Sequence, residues 1–276
     1  MTSNIKPSRL EVFKTFSTFF SSVIIASAGI IVTLTYNSQQ LEITNKQAVS
    51  QMEITRIKEI SNLIPKLGSE NTNERKFSAI TLSLYGKDAV PALIATLGDE
   101  KMDVREASAK AIALIGEPAI PELEAAFRDS RNSENLRASS IYALGLMKSP
   151  KAEQLSIKAV EDTSENKVVR KDAATALGML KSATGIPALL KAMQSKTNIS
   201  LVANSVWALG EIGNKEVNEN IVKMLNHNND NVRIETVWAL AKLKNDNTEN
   251  ILRNVTRNDI SQEVRDAAAN AIEWMK

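Results

Sequence analysis

The stretch NVRIETVWALAKLK, from Asn231 to Lys244, contains a pattern that recurs along most of the chain. With Arg233 as position 0, apolar residues follow at +7 and +10, and small residues tend to occupy +3 and +6. The same register begins at seven positions spaced 30 to 33 residues apart: Arg75, Arg105, Arg137, Arg170, Val202, Arg233 and Arg265. A fixed period of this length is the sequence signature of stacked helical repeats. The sequence therefore predicts an all-α fold, an α-solenoid of about seven helical-hairpin repeats.

Each repeat is predicted to contain two antiparallel helices. The first helix is represented by AVPALIATL (89–97), AIPELEAAF (119–127) and GIPALLKAM (185–193). Their prolines fall near the first turn, where a missing N–H costs little. We expect the second helix to begin after Asn or Asp caps such as Asp103, Asn135 and Asn231. Glycines at +11 (Gly86, Gly116 and Gly213) suit the end of that helix and the turn after it.

The amino-terminal segment predicts a membrane-spanning helix. No charged residue occurs between Thr15 and Leu41, and residues 16–36 (FSTFFSSVIIASAGIIVTLTY) are long enough to cross the hydrocarbon core. Its Ser and Thr side chains can bond back to the preceding turn. A cleavable signal peptide with a cut near Ala26–Ala28 and a buried core helix remain as alternatives.

Charges around the span predict its orientation. Lys6, Arg9 and Lys14 precede the span, and Lys46 is the only nearby base after it. The positive-inside rule then places residues 1–15 in the cytoplasm as a short basic tail. The repeats would lie on the opposite, periplasmic or lumenal side of the membrane.

Residues 38–67 lack glycine and carry apolar residues at mixed three-, four- and seven-residue steps, which indicates an amphipathic helix leaving the membrane. Its last turns align with the first helix of repeat one. The predicted domains are therefore the tail at 1–15, the span at 16–36, a helical stalk at 37–57 and the repeat solenoid at 58–276. The stalk is a spacer docked on the first repeat or a short dimerising coiled coil.

Composition and charge argue against nucleic-acid binding, although a local basic patch stays open, and against cysteine chemistry. Lys and Arg number 34 against 32 Asp and Glu, and without the four charges before residue 37 the remainder has 31 of each sign. This balance argues against nucleic-acid binding, which draws heavily on neutralising phosphates. The chain has no cysteine, so it has neither a disulfide nor a cysteine-ligated metal site.

The stretches DVREASAKAIALIGEPAIPEL (103–123), VVRKDAATALGMLKSATGIPALL (168–190) and NVRIETVWALAKLK (231–244) resemble the HEAT-repeat family, in its phycobilisome-lyase type. The resemblance covers roughly residues 58–276 and is specific for fold but nearly silent on activity. It implies that the arginine at position 0 braces neighbouring turns through acidic or amide side chains. The arginines concerned are Arg75, Arg105, Arg137, Arg170, Arg233 and Arg265. Val202 departs from this pattern, so we expect the arginine contacts to be missing from this one repeat.

Enzymatic chemistry finds little support in the sequence. HEAT-type relatives include an iron-dependent hydroxylase that uses paired His-Glu motifs, but this chain has a single histidine, His227, in an Asn-rich turn. We expect His227 to be a solvated loop residue, and we predict no catalytic residues, no metal and no cofactor. A bilin-lyase-like or chaperone-like subunit acting on a protein substrate is the alternative function. The predicted membrane anchor weighs against it, because such lyases are soluble.

In a solenoid of helical pairs the second helices line the concave face, and positions +5 and +9 should point into it. The +5 row holds Ile80, Lys110, Tyr142, Thr175, Trp207, Trp238 and Asn270; the +9 row holds Leu84, Leu114, Leu146, Met179, Glu211, Lys242 and Trp274. All three tryptophans of the chain fall on these rows. Aromatic residues anchor protein partners, although they could equally fill gaps between repeats.

The sequence therefore predicts a membrane-anchored scaffold that binds a protein or peptide partner on its concave face. The partner-binding residues are predicted to be Tyr142, Trp207, Glu211, Trp238, Lys242 and Trp274, with Glu211, Glu235 and Lys242 forming a polar rim. The chain ends within the second helix of repeat seven, in AIEWMK. Self-association through the stalk or through this last repeat is an additional expectation.

Overall fold

The computed structural model describes residues 9–276, and within that range helices and the turns between them form all the regular structure. The helices are α1 (Arg9–Leu63), α2 (Thr72–Leu84), α3 (Val90–Thr96), α4 (Met102–Ile115), α5 (Ile120–Arg128), α6 (Glu134–Leu146), α7 (Pro150–Glu161), α8 (Lys167–Leu180), α9 (Ile186–Ala192), α10 (Ile199–Ile212), α11 (Asn218–Lys223), α12 (Asp230–Leu243), α13 (Thr248–Asn258) and α14 (Gln262–Met275). Short 3-10 turns lead into several of them, among them Ile64–Gly68 before α2 and Glu117–Ala119 before α5. The chain divides into two compact units, residues up to Lys58 and Glu59–Lys276.

The second unit is a stack of seven helical hairpins. The second helices of the hairpins are α2, α4, α6, α8, α10, α12 and α14, and each packs against the next one along the chain. The first helices pack against the second helices of their own hairpins, as α7 does on α8 and α13 on α14. This arrangement confirms the predicted α-solenoid of about seven repeats.

The hydrophobic core follows the repeat register. The residue at +7 is buried in every repeat: Leu82, Ile112, Leu144, Leu177, Leu209, Leu240 and Ile272. The small residues at +3 are also buried throughout, and those at +6 are buried in all repeats but the first. Because each buried row is shared between neighbouring hairpins, one continuous core runs through the whole unit.

Glycines at +8 allow the second helices to approach one another. A Cβ added at Gly145 would lie 2.8 Å from the Cα of Ala176, and one at Gly210 would lie 2.7 Å from the Cα of Ala239. These distances are shorter than real Cβ contacts, so the backbones are too close to admit a side chain. Each glycine meets the +6 alanine of the following repeat, a pairing that the sequence pattern did not reveal.

The second helices end in left-handed backbone at position +11. The glycines predicted there have positive φ: 58° at Gly86, 81° at Gly116 and 76° at Gly213. Lysines occupy the same position in three other repeats and also have positive φ, of 52°, 52° and 47° at Lys148, Lys181 and Lys244. Positive φ at +11 is therefore common to the first six repeats, although only half of these positions hold the residue that adopts it without strain.

The predicted helix caps were wrong by two residues. The second helices begin after position −4, at Asn71, Lys101, Ser133, Asn166, Asn198, Asn229 and Ser261. Asp103, Asn135 and Asn231 lie inside the first turn instead. At Ser133 and Asn229 the side chain accepts an N–H of that turn, which is the contact that defines a cap. The prolines of the first helices do occupy the first two helical positions, as expected.

The first unit consists of most of α1. Its apolar side chains in the predicted span are exposed. Serine and threonine hydroxyls bond back to carbonyls three or four residues earlier, for example Thr33 to Gly29 at 2.9 Å. By length and composition α1 is a candidate membrane span, although a signal sequence meets the same criterion. Lys6 of the predicted tail, and the side chain of Arg9, lie outside the described residues.

Candidate aromatic interaction surface

The candidate site lies on α10, α12 and α14, where five of the six predicted partner-binding residues come together. We call Trp207, Glu211, Trp238, Lys242 and Trp274 the aromatic surface. The +5 and +9 positions of neighbouring second helices lie side by side because these helices pack in chain order. The repeat register therefore collects residues that are up to 67 positions apart in the sequence onto one surface.

The three tryptophans differ in environment. Trp207 and Trp238 are half-buried against the core, whereas Trp274 is 57% exposed. The rings of Trp238 and Trp274 meet edge to face, with centroids 6.4 Å apart and planes inclined at 79°. Such T-shaped pairs are a favoured aromatic geometry. An exposed indole held in place by a second ring forms a preorganised apolar contact surface.

Trp207 also has a packing role. A Cβ added at Gly178 on α8 would lie 2.6 Å from Cζ3 of Trp207. The indole therefore lies directly over the glycine backbone and fills the space between two repeats. The gap-filling interpretation thus holds for part of Trp207, whereas it does not account for the exposed ring of Trp274.

Charged side chains surround these rings. Lys242 donates a hydrogen bond to Oε1 of Glu211, and its Nζ lies 5.7 Å from the centroid of the Trp207 ring. Lys244 Nζ lies 5.8 Å from the centroid of Trp274 and donates to the carbonyl of Met275. Both lysines are placed for cation–π attraction, which strengthens where water is excluded.

Tyr142 does not join the aromatic surface. It lines a cavity of about 210 Å³ between α4, α6 and α8, together with Glu106 and Asp172. Burial, and secondarily these two carboxylates, raise the pKa of Tyr142. Burial likewise raises the pKa of Asp172, although the Lys171 ammonium at 2.8 Å opposes the shift. This cavity is a separate part of the second-helix face.

The arginines at position 0 contact main-chain carbonyls more than side chains. Arg105 donates to the carbonyls of Asp99 and Glu100, at 2.7 and 2.8 Å. Arg170 donates to the carbonyl of Val160, at the end of the first helix of its repeat. Arg75 and Arg265 also bond to carbonyls five or six residues earlier. These bonds satisfy carbonyls that a helix end or turn leaves without partners.

Three of the arginines also reach the next repeat, Arg75 through an ion pair with Asp103 at 3.5 Å. Arg137 bonds both carboxylate oxygens of Glu165, and Arg233 bonds both oxygens of Asp259 at 2.9 and 3.0 Å. Although burial opposes it, hydrogen bonding from Arg233 lowers the pKa of Asp259. Val202, at the equivalent position of repeat five, is fully buried instead.

The acidic side chains and the single histidine of the described part of the chain do not cluster as metal ligands do. Residues 9–276 contain no group of three or more His, Cys, Asp or Glu side chains that could hold a metal ion. His227 is half-buried rather than solvated, because its Nδ1 accepts the N–H of Asn229 and its carbonyl accepts from Arg233. His227 thus helps to shape the turn before α12.

The stacked hairpins define a helical-repeat protein. Its aromatic surface lies on the second helices of the hairpins. The chain belongs to the HEAT-repeat family, since it matches the family described as HEAT repeats over residues 60–139, 130–204 and 186–273. No curated protein sequence matches it significantly.

Several solved structures are similar to this chain to different degrees. Kap95p bound to RanGDP has a TM-score of 0.54 at 16% identity, over 83% of this chain and 39% of that chain. The CpcE–CpcF complex of phycocyanin lyase from Nostoc sp. PCC7120 is 25% identical over 77% of this chain and 75% of that chain, with a TM-score of 0.41. Human deoxyhypusine hydroxylase is 16% identical over 78% of this chain and 84% of that chain, with a TM-score of 0.36. The likeness to Kap95p shows a shared fold and nothing beyond it, and the other two likenesses have TM-scores below 0.5.

Proposed function

We propose that this protein is a membrane-anchored HEAT-repeat scaffold that binds a protein or peptide partner on the face formed by its second helices. The observation that carries this proposal is the convergence of all three tryptophans of the chain on one surface, one of them 57% exposed. Indoles anchor protein partners because they bury a large area while losing few rotamers. The sequence motifs further favour the phycobilisome-lyase type of repeat.

The anchor in this proposal is residues 16–36, followed by the stalk at 37–57 and the solenoid at 58–276. Support comes from the apolar side chains of α1, which are exposed along the whole segment and would be costly to leave in water. In the proposed orientation the repeats lie across the membrane from the amino terminus. Protease treatment of sealed inside-out vesicles should leave the repeats intact. Their digestion would contradict the orientation.

A double substitution tests the partner surface. Trp238→Ala with Trp274→Ala removes the edge-to-face pair, and we expect capture of the partner from the protein's own membranes to be lost. The matched control is Leu84→Ala with Leu114→Ala, which removes large, exposed apolar residues from the same +9 row at the other end of the solenoid. Capture that survives the tryptophan pair, or fails equally in both variants, would contradict the assignment. Circular dichroism should show unchanged helicity in both variants.

A further inference from the structure

Glu235 lies beside the aromatic surface at position +2 of α12. It is one helical turn from Trp238, and residues spaced by three share a helix face. Its carboxylate is half-buried, and it makes no hydrogen bond or ion pair within the part of the chain that the structure describes. Asp172, at the same position of repeat four, has a lysine 2.8 Å away. Glu235 is therefore a desolvated acid without a direct partner.

The other charges on the aromatic surface are already paired. Glu211 accepts a hydrogen bond from Lys242, so these two groups cancel. Lys244 lies over Trp274 and donates to a main-chain carbonyl. Glu235 is therefore the charged group of this surface that has no direct partner, and Lys242 acts on it only through space. A negative charge among aromatic rings favours a cationic ligand.

The tryptophan rings also differ in whether they have a cationic partner within the chain. Lysines of the chain lie over Trp207 and Trp274, but among the described residues no lysine or arginine lies over Trp238. Trp238 is the ring that shares a helix face with Glu235. The surface thus combines an aromatic ring without a cation and a carboxylate without a partner on adjacent turns of one helix.

We infer that the aromatic surface binds an arginine side chain of the partner, with Glu235 as its carboxylate and Trp238 as its stacking ring. A planar guanidinium can stack on an indole while donating two parallel hydrogen bonds to a carboxylate. An ammonium group can make the electrostatic contact but lacks this flat geometry, so arginine is preferred to lysine. The inference rests on the proposed function, because it names the chemistry of a partner at the same surface.

The burial of Glu235 indicates separately that this carboxylate does not stabilise the fold. Burial raises the pKa of Glu235, and Lys242 opposes the shift only in part. A carboxyl group whose pKa is raised by folding is held more easily in its neutral form, so its charge at neutral pH disfavours the fold. Glu235→Gln should therefore melt no lower than the parent protein. A carboxylate kept for structural reasons would behave in the opposite way.

Paired peptides test the inference. The full chain is placed in nanodiscs of phosphatidylcholine, and fluorescence anisotropy follows a labelled peptide with a single arginine flanked by leucines. Its twin carries citrulline, which keeps the shape of arginine and removes the charge. We expect the citrulline peptide to bind at least tenfold more weakly, since charge-assisted bonds to a desolvated carboxylate are among the stronger ones. Glu235→Gln should abolish the difference, whereas Glu263→Gln, an exposed carboxylate on α14, should preserve it.

The outcomes separate this inference from the proposed function. Equal binding of the two peptides, weakened alike by Trp238→Ala, would overturn the arginine assignment and leave the partner surface intact. A preference for arginine that persists in Glu235→Gln would also overturn it. No binding of either peptide at millimolar concentration, together with unchanged partner capture by the tryptophan variants, would overturn both proposals.

Discussion

At the scale of the residue, the left-handed lysines at +11 show how the repeat tolerates strain. Lys148, Lys181 and Lys244 have φ near 50° at positions where three other repeats carry glycine. A non-glycine residue in this conformation costs about 1 kcal/mol relative to glycine. Lys244 also gains contacts with Trp274 and Met275, which the other two lysines lack.

Lys181→Gly should therefore stabilise the protein. Lys181 is exposed, so the substitution removes backbone strain without removing a contact. We expect the free energy of unfolding to rise by up to about 1 kcal/mol, measured by urea denaturation of the full chain in detergent. The control is Lys158→Gly, an exposed lysine inside α7, which should lower the same quantity by about 1 kcal/mol. A loss of stability in both variants would contradict the strain argument.

The bond between Arg233 and Asp259 predicts a pH dependence of stability. Arg233 holds the pKa of Asp259 below its ordinary value of 3.8, against the effect of burial. A carboxyl group whose pKa is lowered by folding stabilises the fold above its unfolded-state pKa, and this contribution is lost as the pH falls through the folded-state value. Both side chains are nearly buried, at 4% and 9% exposed.

Asp259→Asn should destabilise the protein at neutral pH by about 1–3 kcal/mol, because Arg233 loses the ion pair with Asp259 and keeps only Asp230 as a carboxylate partner. The substitution should also flatten the dependence of the free energy of unfolding on pH below about 4. Denaturation over a pH series measures both effects. Asp246→Asn, which changes an exposed aspartate in the turn before α13, should leave the profile unchanged. A profile of Asp259→Asn parallel to that of the parent would be inconsistent with this bond.

At the scale of the element, the spacing between second helices depends on the +8 glycines. Gly145, Gly178 and Gly210 each face the +6 residue of the next repeat at distances that leave no room for a Cβ. Repeat six carries Ala241 at this position, and it is also buried. The last pair of second helices therefore packs with an alanine where the three preceding pairs pack with a glycine.

Gly210→Ala should destabilise the solenoid by about 1–3 kcal/mol, the usual cost of overpacking a core, less the gain in helix propensity. The expected steric conflict is with the backbone of Ala239, which cannot move without separating α10 from α12. Gly98→Ala is the matched control, because its nearest neighbours would lie at 3.5 Å, an ordinary contact. Thermal denaturation of the two variants compares them directly. Equal melting temperatures would show that the helices are not held at this distance.

Helix boundaries show what local sequence conveys. The glycines at +11 marked the ends of second helices correctly, since few other residues adopt positive φ readily. The starts were misplaced because Asp103 and Asn231 resemble caps while lying in the first turn. The correct signal was present at −4, where Asn71, Ser133, Asn166, Asn198 and Asn229 all accept main-chain N–H groups. This signal was missed because the repeats were numbered from the arginines and not from the helix caps.

At the scale of the whole molecule, the repeat period was sufficient to predict the solenoid, because each hairpin packs only on its neighbours. The register was also sufficient to place Trp207, Trp238 and Trp274 on neighbouring second helices. The pairings among them were not predictable: the Trp238–Trp274 ring contact and the Lys242–Glu211 bond depend on the rotation between successive hairpins. Tyr142 lies apart from this surface because it is on α6, and α8 of repeat four packs between α6 and α10.

Site-specific crosslinking in native membranes tests the central claim most directly. A photoreactive amino acid replaces Asn270, an exposed +5 residue of α14 on the row that carries Trp238. The control position is Asn220, an exposed residue of α11 in a first helix. A partner bound to the second-helix face should crosslink at position 270 and not at position 220, and Trp238→Ala with Trp274→Ala should abolish the product. Crosslinking only from position 220, or a product that is unchanged by the tryptophan substitutions, would contradict the account.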